Sequence, residues 1–397
     1  MISPVRNPVK LPRRAEDTPL YFVRESAAYR ADGTQVAANV PRFEPGKFGK
    51  AVMVEEGTVN LNSDPFFKTG VSGWGKGRWT TLEWLSSEYN PISKQNGVMR
   101  LYDNDGTNRF CLKVVSISNT SHTVSVLLKI LKGNINRINV GGTINYTDST
   151  YTDYTWNNSN TTRYDMSAIY GQGVYKLVAT ITPNSSKTIS NYHLRISHND
   201  AVETELFVYA VQLEAKPYAT SFIDGTRAAE TLTIPTAGVL NPQQGTVKGF
   251  VNLWRAPGTT AQYIFDGAGA VNQNLVVYVG TDGKLRLEYG DGASMITLVG
   301  STVLQKDTWY SVAWRWSSSG VELLLNGNLE ASNINLPSLS FGANACLGSK
   351  ADGTAQLDGL LDNFSVSGRV VPNVEVLEEY RSSMPKYSDE WTTALVM

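Results

Sequence analysis

Aromatic side chains in polar stretches are the residues of this sequence best suited to binding chemistry. Tyr151, Tyr154 and Trp156 lie in a stretch rich in Asn, Thr and Ser that has few aliphatic residues. Trp79 and Trp84 lie between glycine-rich and serine-rich segments. A flat aromatic ring stacks on the apolar face of a sugar ring, while nearby amides and hydroxyls bond the sugar hydroxyl groups. The pattern therefore predicts that these five residues bind carbohydrate.

The same aromatic residues have two other interpretations. Large aromatic side chains are often partly buried in a core. They are also common in protein–protein interfaces. Exposed rings with a polar rim would favour sugar binding, whereas a large flat apolar patch would favour assembly.

Motifs for catalysis are absent from the sequence. It contains no His-Glu-x-x-His, Gly-x-Ser-x-Gly or phosphate-binding Gly-x-x-x-x-Gly-Lys pattern. The histidines are His122, His193 and His198. His193 and His198 are five residues apart, which does not place both on one face of a strand, so we interpret them as ordinary polar residues.

Two carboxylate pairs have the spacing that sugar hydrolysis requires, since glycosidases hold two carboxyl groups about 5–10 Å apart. Glu203 and Glu205 have a suitable spacing but lie in the predicted closing strand of a sandwich. Asp358 and Asp362 have a suitable spacing but flank a predicted turn. We therefore expect a protein that is not an enzyme, with a glycan depolymerase as the least favoured alternative.

A calcium ion is the one cofactor that the sequence suggests. Residues 103–108 place Asp103 and Asp105 in a short loop with other oxygen donors, as hard cations require. The alternative is a hairpin turn between Leu101 and Phe110, since Asn, Asp and Gly tolerate positive φ. The turn is the favoured interpretation, and no cofactor is expected.

Composition excludes several classes of partner. The formal net charge is -1 and 18% of residues are charged, so no global field favours nucleic acid or an anionic membrane. No apolar run approaches the roughly 18 residues that a membrane span requires, so no membrane insertion is expected. Cys111 and Cys346 lie among apolar neighbours in different predicted domains, which favours buried free thiols over a disulfide.

Turn signals and alternating apolar residues predict an all-β protein with two tandem antiparallel jelly-roll β-sandwiches behind an extended N-terminal arm. Asp-Gly and Asn-Gly pairs recur, for example at residues 282–283 and 326–327. The predicted organisation is an arm (1–20), a hairpin-rich leader or attachment segment (21–61), a first sandwich (62–225), a linker (226–244), a second sandwich (245–385) and a tail (386–397).

The arm combines four prolines with basic residues. Prolines fix φ and remove backbone donors, so the arm is predicted to be extended and not a folded unit. Its positive charge suggests a role in anchoring to an acidic groove of a neighbouring subunit, and a solvated tail is the equal alternative. The predicted anchoring residues are Arg6, Lys10, Arg13 and Arg14.

The leader contains a distinctive set of residues, which are Arg24, Ala37, Ala38, Asn39, Pro41, Arg42, Phe43, Glu55, Glu56, Gly57, Asn60 and Leu61. In this order they resemble the N-terminal segment of many phage and prophage structural proteins. An alternative for residues 21–61 is packing onto the first sandwich and not onto a particle.

Both sandwiches carry resemblances of their own. Residues 64–67 with Gly73 and Trp74, and the exit at 212–223, resemble the start and end of jelly-roll carbohydrate-binding modules. Residues 309–327 resemble the long hairpin of laminin-G-like and concanavalin A-like domains, and 373–380 resemble their closing helix.

These resemblances together imply a virion structural protein, such as a tail fibre, head fibre, spike or decoration protein, located on the virion surface. They imply other virion proteins and host-surface glycans as partners, with adhesion to the host as the role. Fibres of this kind imply a homo-oligomer, and specifically a trimer. The alternative is a purely architectural decoration or assembly protein that binds no sugar.

Overall fold

The structure is a computed structural model that describes residues 9–10 (backbone only), 21–104, 108–156, 160–199, 201–258 and 260–383. Arg6, Arg13, Arg14 and the tail 386–397 lie outside these residues. Strands account for 51% of the structure and helices for 5%, which confirms the predicted all-β class.

The strands are numbered in chain order. They are β1 (Val9–Lys10), β2 (Tyr21–Val23), β3 (Ala28–Tyr29), β4 (Gln35–Val36), β5 (Phe43–Gly46), β6 (Gly49–Val54), β7 (Thr58–Val59), β8 (Trp74–Gly75), β9 (Thr81–Asn90), β10 (Gln95–Asp103), β11 (Arg109–Val115), β12 (His122–Lys132), β13 (Ile138–Tyr146), β14 (Tyr151–Asp153), β15 (Thr161–Asp165), β16 (Val174–Ile181), β17 (Ile189–His198), β18 (Thr204–Glu214), β19 (Thr226–Arg227), β20 (Thr231–Pro235), β21 (Gly245–Leu253), β22 (Gln262–Asp266), β23 (Leu275–Val279), β24 (Lys284–Gly290), β25 (Met295–Val303), β26 (Trp309–Ser317), β27 (Gly320–Leu325), β28 (Asn328–Asn333), β29 (Asn344–Leu347) and β30 (Gly359–Ser367). The helices are α1 (Ser167–Tyr170), α2 (Asn373–Ser382) and a 3-10 turn at Ile135–Arg137.

The chain forms two compact units. The first unit comprises Val23–Arg42 and Glu56–Ala229. The second unit comprises Phe43–Glu55 and the residues from Glu230 onward, with Tyr21 and Phe22. The two predicted sandwiches are therefore present, but each also includes part of the leader.

Two antiparallel sheets build the first unit. The back sheet has the order β15-β16-β12-β18-β10-β9, and the front sheet has the order β14-β13-β17-β11-β8. Alternate residues of the strands point into one shared core, as period-2 alternation requires. This core includes Leu101, Val126, Leu194, Ile196 and Val208. Cys111 is also buried here as a free thiol, as predicted.

Two larger sheets build the second unit. One has the order β28-β27-β26-β21-β30-β6-β5, with β1 paired to β30, and the other has the order β2-β20-β29-β22-β23-β24-β25. Trp314 and Trp316 of β26 are fully buried between them. The long hairpin and the closing helix predicted from the sequence are confirmed as β26–β27 and α2.

The residues of the predicted leader are divided between the two units and do not form a separate one. The guanidinium of Arg24 is buried and donates to the carbonyl oxygens of Ser26 and Ala37 at 2.8 and 2.6 Å. The Nδ2 of Asn60 donates to two carbonyls of the first unit's closing segment, and Oδ1 of Asn60 accepts from Leu213 N–H at 3.1 Å. The leader motif therefore holds the first unit together, because its polar side chains satisfy backbone groups that burial removes from water.

The segments predicted as the linker and the arm both contain strands. Residues 226–244 contain β19, which pairs with β7, and β20, which pairs with β29, so this segment belongs to sheets. In the arm, the backbone of Val9 and Lys10 pairs with Val366 and Ser365 of β30. Residues 9–10 thus extend a sheet, because a strand edge with free N–H and C=O groups accepts another strand.

Candidate functional site

The outward face of the front sheet, here called the front face, presents a grid of side chains. Residues directly opposite each other in an antiparallel pair lie on the same side of a sheet, so the pairing defines rows across the strands. From one end to the other, the rows are Tyr151–Asn145–Asn191, then Asp153–Thr143–His193–Val114, then Gly141–Arg195–Leu112–Gly75, and finally Asn139–Ser197–Phe110.

Alternation along β17 explains how the sequence builds this face. Tyr192, Leu194 and Ile196 are fully buried in the core. The residues between them, such as His193 and Arg195, therefore point to the opposite side of the sheet. The central strand of the front sheet thus supplies polar groups to the front face and apolar groups to the core.

Hydrogen bonds between side chains fix the polar groups of the front face. The Nδ2 of Asn145 donates to Oδ1 of Asn191 at 2.7 Å. The hydroxyl of Thr143 donates to Oδ1 of Asp153 at 3.1 Å. Such contacts hold amide and carboxylate groups in place, with further donors and acceptors free to face a ligand.

Residues 154–156 cover one part of the front face. The Ser197 hydroxyl donates to the Thr155 carbonyl at 2.8 Å, and Nη1 of Arg195 donates to the Thr155 hydroxyl at 3.1 Å. Gly142 allows the underlying strands to pair closely, since its φ is +139° and a Cβ there would lie 1.8 Å from the His193 carbonyl oxygen. The rest of the front face, towards Tyr151, is more open.

Aromatic rings and a cation border the covered end. The rings of Phe110 and Trp156 meet edge to face with centroids 6.2 Å apart. The Arg195 guanidinium lies over the Phe110 ring at 4.3 Å, a cation–π contact. Trp156 therefore borders the front face at the Phe110 end, whereas Tyr151 lies in the row at the opposite end.

The electrostatics of the front face follow from partial burial. Burial lowers the pKa of His193, and the neighbouring Arg195 charge lowers that pKa further. The imidazole of His193 is therefore neutral at pH 7, with one ring nitrogen as a donor and the other as an acceptor. Burial also lowers the pKa of Arg195, while Asp153 opposes this effect.

The three aromatic residues predicted in one polar stretch, Tyr151, Tyr154 and Trp156, differ in their surroundings. Tyr151 is 68% exposed at the edge of the front face. Trp156 is half-buried against Phe110. Tyr154 packs partly against the core, and its hydroxyl donates to the Thr182 carbonyl at 2.8 Å, so most of its ring is used in packing.

The other two predicted binding residues, Trp79 and Trp84, do not lie on the front face. Trp79 is 1% exposed and packs beside His198, so the prediction of a ligand-binding Trp79 is wrong. Residue 79 lies two positions before β9, and its ring fills part of the core of the first unit. Trp84 is 38% exposed, but it lies on the back sheet and its Nε1 donates to the Phe67 carbonyl at 2.9 Å.

The weak calcium candidate consists of Asp103 and Asp105. Asp103 is fully buried, accepts from the Thr80 hydroxyl at 2.8 Å and lies 3.2 Å from Nε of Arg109. The Arg109 guanidinium therefore offsets the negative charge of Asp103. Asp105 lies outside the described residues. Within the described ranges, no group of three or more His, Cys, Asp or Glu side chains could hold a metal ion.

Sequence reasoning missed most of the front face. Asn145, Asn191, His193, Arg195 and Phe110 were not predicted as site residues. The alternation of 191, 193 and 195 with buried neighbours was a readable signal for one strand. The pairing of that strand with β11 and β13, which brings the other residues beside it, was not readable from one sequence.

Comparisons with known proteins identify the fold of the second unit. Residues 224–377 match the family model of the concanavalin A-like lectin/glucanases superfamily, of the laminin G type. No curated protein matches the chain. In the described residues, no helix has the length and apolar character needed to cross a membrane.

Several solved structures are similar to part of the chain. A SAP-like pentraxin from Limulus polyphemus is 21% identical, covering 34% of this chain and 68% of that chain, with a TM-score of 0.28. The Ruminococcus gnavus IT-sialidase CBM40, bound to α2,3-sialyllactose, is 18% identical over 35% of this chain and 83% of that chain, with a TM-score of 0.30. The receptor-binding domain of botulinum neurotoxin C/D mosaic serotype is 12% identical, covering 39% of this chain and 40% of that chain, with a TM-score of 0.33.

The family match and the sheet topology agree on one description. The chain has a nearly all-β, jelly-roll lectin-like fold, and its residues 224–377 are similar to the concanavalin A-like lectin/glucanases superfamily.

Proposed function

We propose that this protein binds glycans without cleaving them, and that the front face of the first unit is the binding site. The observation that carries this proposal is the arrangement of side chains in rows on the front face. An exposed aromatic ring at Tyr151 adjoins a hydrogen-bonded amide pair, Asn145 and Asn191, and a neutral His193 lies in the next row.

This arrangement suits the chemistry of a sugar. A pyranose ring has an apolar face, which stacks on an aromatic side chain, and a rim of hydroxyl groups, which bond to amides and imidazoles. The strands fix these side chains on a rigid sheet, which lowers the entropy cost of binding. Val114, which is 57% exposed in the same row as His193, adds apolar contact area.

A non-enzymatic role is supported by the carboxylates considered for hydrolysis. Glu205 lies 2.7 Å from Nε of Arg100, and Asp358 lies 2.9 Å from Nε of Arg255. Lys132 and the Tyr102 hydroxyl lower the pKa of Glu203, which opposes a role as a general acid. Incubation with polysaccharides that the protein binds should release no new reducing ends.

The family match supports the proposal only in general terms. The matched family contains both lectins and glucanases, and the match lies in the second unit. It makes carbohydrate binding a reasonable property of the chain, while the site proposed here rests on the first unit.

The biological setting is proposed from the sequence resemblances alone. The protein is displayed on a phage virion surface as a homo-oligomeric fibre or decoration component, where it contacts host glycans. The arm, including Lys10, contacts other virion proteins. Immunogold electron microscopy of purified particles tests the location, and light scattering of the purified protein tests for a trimer.

The experiment for the site is a glycan array probed with the full chain. Parallel samples carry Tyr151→Ala and, as a matched control, Tyr89→Ala. Tyr89 is a tyrosine of similar exposure, 54%, on β9 of the back sheet. Saturable binding that is lost only with Tyr151→Ala supports the proposal. Absence of binding by the folded protein would favour the architectural role instead.

A further inference from the structure

Two arginine side chains converge at one end of the front face. The Arg195 guanidinium lies 4.3 Å from the centroid of the Phe110 ring, and the Arg78 guanidinium lies 5.6 Å from the same centroid. Arg195 comes from β17, and Arg78 follows β8 in the chain. Their charges therefore share one aromatic platform although they are remote in sequence.

Backbone geometry places Arg78 at this platform. Its N–H donates to the Phe110 carbonyl at 2.9 Å. The preceding residue, Gly77, has a φ of +56°, and a Cβ there would lie 2.2 Å from the same carbonyl oxygen. Only glycine fits this close approach, so the loop holds Arg78 against β11 in a fixed position.

Among the described residues, one carboxylate pairs with these two arginines. The carboxylate that pairs with Arg195 belongs to Asp153, at 4.0 Å, the loose limit of an ion pair. Oδ1 of Asp153 is also occupied by the Thr143 hydroxyl and by the Thr155 N–H. In the described part of the chain, Arg195 therefore has one carboxylate partner, which is already shared, and Arg78 has none.

Arg195 is also incompletely hydrogen-bonded. Its Nη1 donates to the Thr155 hydroxyl at 3.1 Å, but its buried Nε–H has no hydrogen-bond partner in the described part of the chain. A partly buried cation with unsatisfied donors is costly, and an anionic partner offsets that cost. Arg78 is exposed, so its donors are accessible to such a partner.

We infer that the glycan bound at the front face carries a carboxylate, which lies between Arg78 and Arg195. This inference rests on the proposed function. Guanidinium groups bind carboxylates through paired, charge-assisted hydrogen bonds. From Arg195 to Asn191 the strand advances about 13 Å. An acidic sugar residue at the arginine end and another ring beside Tyr151 therefore belong to one oligosaccharide.

The test uses acidic oligosaccharides, such as oligouronides and sialylated glycans, each printed on an array beside its carboxyl methyl ester. Esterification removes the charge and keeps the ring. The full chain is compared with Arg195→Gln, with the exposed Arg78→Gln, and with Arg381→Gln on α2 of the second unit as the control. Circular dichroism and thermal melting establish that each variant is folded.

The inference predicts binding of the acid form, at least about tenfold weaker binding of the ester, and a similar loss with either front-face variant, but not with Arg381→Gln. Added salt should weaken binding of the acid form, since part of the Arg78 contact is solvent-exposed. Equal binding of acid and ester, lost in Tyr151→Ala, would overturn the inference and leave the proposed function standing. Absence of binding to every glycan by the folded chain would overturn both.

Discussion

The side chains of Asn145 and Asn191 form a hydrogen bond across β13 and β17, with Nδ2 of Asn145 donating to Oδ1 of Asn191 at 2.7 Å. This bond uses one donor of Asn145 and one acceptor of Asn191. It leaves the Asn145 oxygen and the Asn191 amide nitrogen outside this bond, in the row that Tyr151 begins. A ligand therefore meets an acceptor and a donor in fixed positions, together with an aromatic ring.

We predict that the two amides act as one unit in binding. Asn145→Ala and Asn191→Ala should each weaken the affinity for the best glycan of the array by about tenfold, because each change also releases the partner amide. The double variant should lose less than the sum of the two binding free energies. Isothermal titration calorimetry of the parent, the two single variants and the double variant measures these binding free energies. Additive losses would contradict the prediction that the two amides act as one unit.

Arg24 is predicted to be essential to the stability of the first unit. Its buried guanidinium also donates to the carbonyl of Val40 at 3.1 Å, besides those of Ser26 and Ala37. Arg24→Ala should lower the free energy of unfolding by about 3–5 kcal/mol, because several buried carbonyls lose their donors. Arg24→Lys should not restore it, since an ammonium lacks the planar fork of donors. Urea unfolding measures both.

Arg30 supplies the control for this prediction. It forms a partly exposed ion pair with Asp32 at 3.9 Å in the same leader segment. Arg30→Ala should lower the free energy of unfolding by less than about 1 kcal/mol. Equal losses for the two arginines would show that the carbonyl cluster around Arg24 contributes no special stability.

The two thiols are predicted to be unreactive in the folded protein. Burial raises the pKa of Cys111 to about 12 and that of Cys346 to about 11. The thiolate is the reactive form, so a disulfide reagent at pH 8 should modify neither cysteine until denaturant is added. Rapid modification of the native protein would contradict the burial of the modified residue.

Stability is predicted to fall on mild acidification. Burial lowers the pKa of both His122 and His193 in the folded state below the value of about 6.5 of an unfolded chain. The unfolded state therefore binds more protons, and the free energy of unfolding decreases as the pH falls from about 7 through 6.5 towards the lower folded-state values. Urea unfolding at several pH values measures this dependence. In His122→Asn, the free energy of unfolding should change less steeply with pH than in the parent chain. An unchanged pH dependence would assign the effect to other groups.

Local patterns in the sequence were sufficient to predict the central hairpin of the second unit. The alternation of residues 309–316, the turn that follows and the residues up to 325 predicted the β26–β27 hairpin, because a short turn brings the partners together. The odd spacing of His193 and His198 predicted opposite faces, and the structure has His193 on the front face and His198 buried.

Long-range pairing was not readable in the same way. Trp79 and Trp84 look alike in the sequence, yet one is buried in the core and the other is partly exposed on the back sheet. The leader motif was recognised without a physical account. Its account depends on contacts such as Asn60 with Leu213, which are 153 residues apart. Such contacts follow from the assembled fold and not from local propensity.

The central claim, that the front face is a glycan-binding site, is tested most directly by calorimetric titration of the best array glycan into three proteins. These are the parent chain, Tyr151→Ala and the control Tyr89→Ala. The account predicts that Tyr151→Ala weakens binding by at least about fivefold, as loss of a stacking ring should, while the free energy of unfolding is unchanged. It also predicts that Tyr89→Ala binds like the parent. Equal affinity of Tyr151→Ala and the parent, or loss of binding in Tyr89→Ala alone, would contradict the claim.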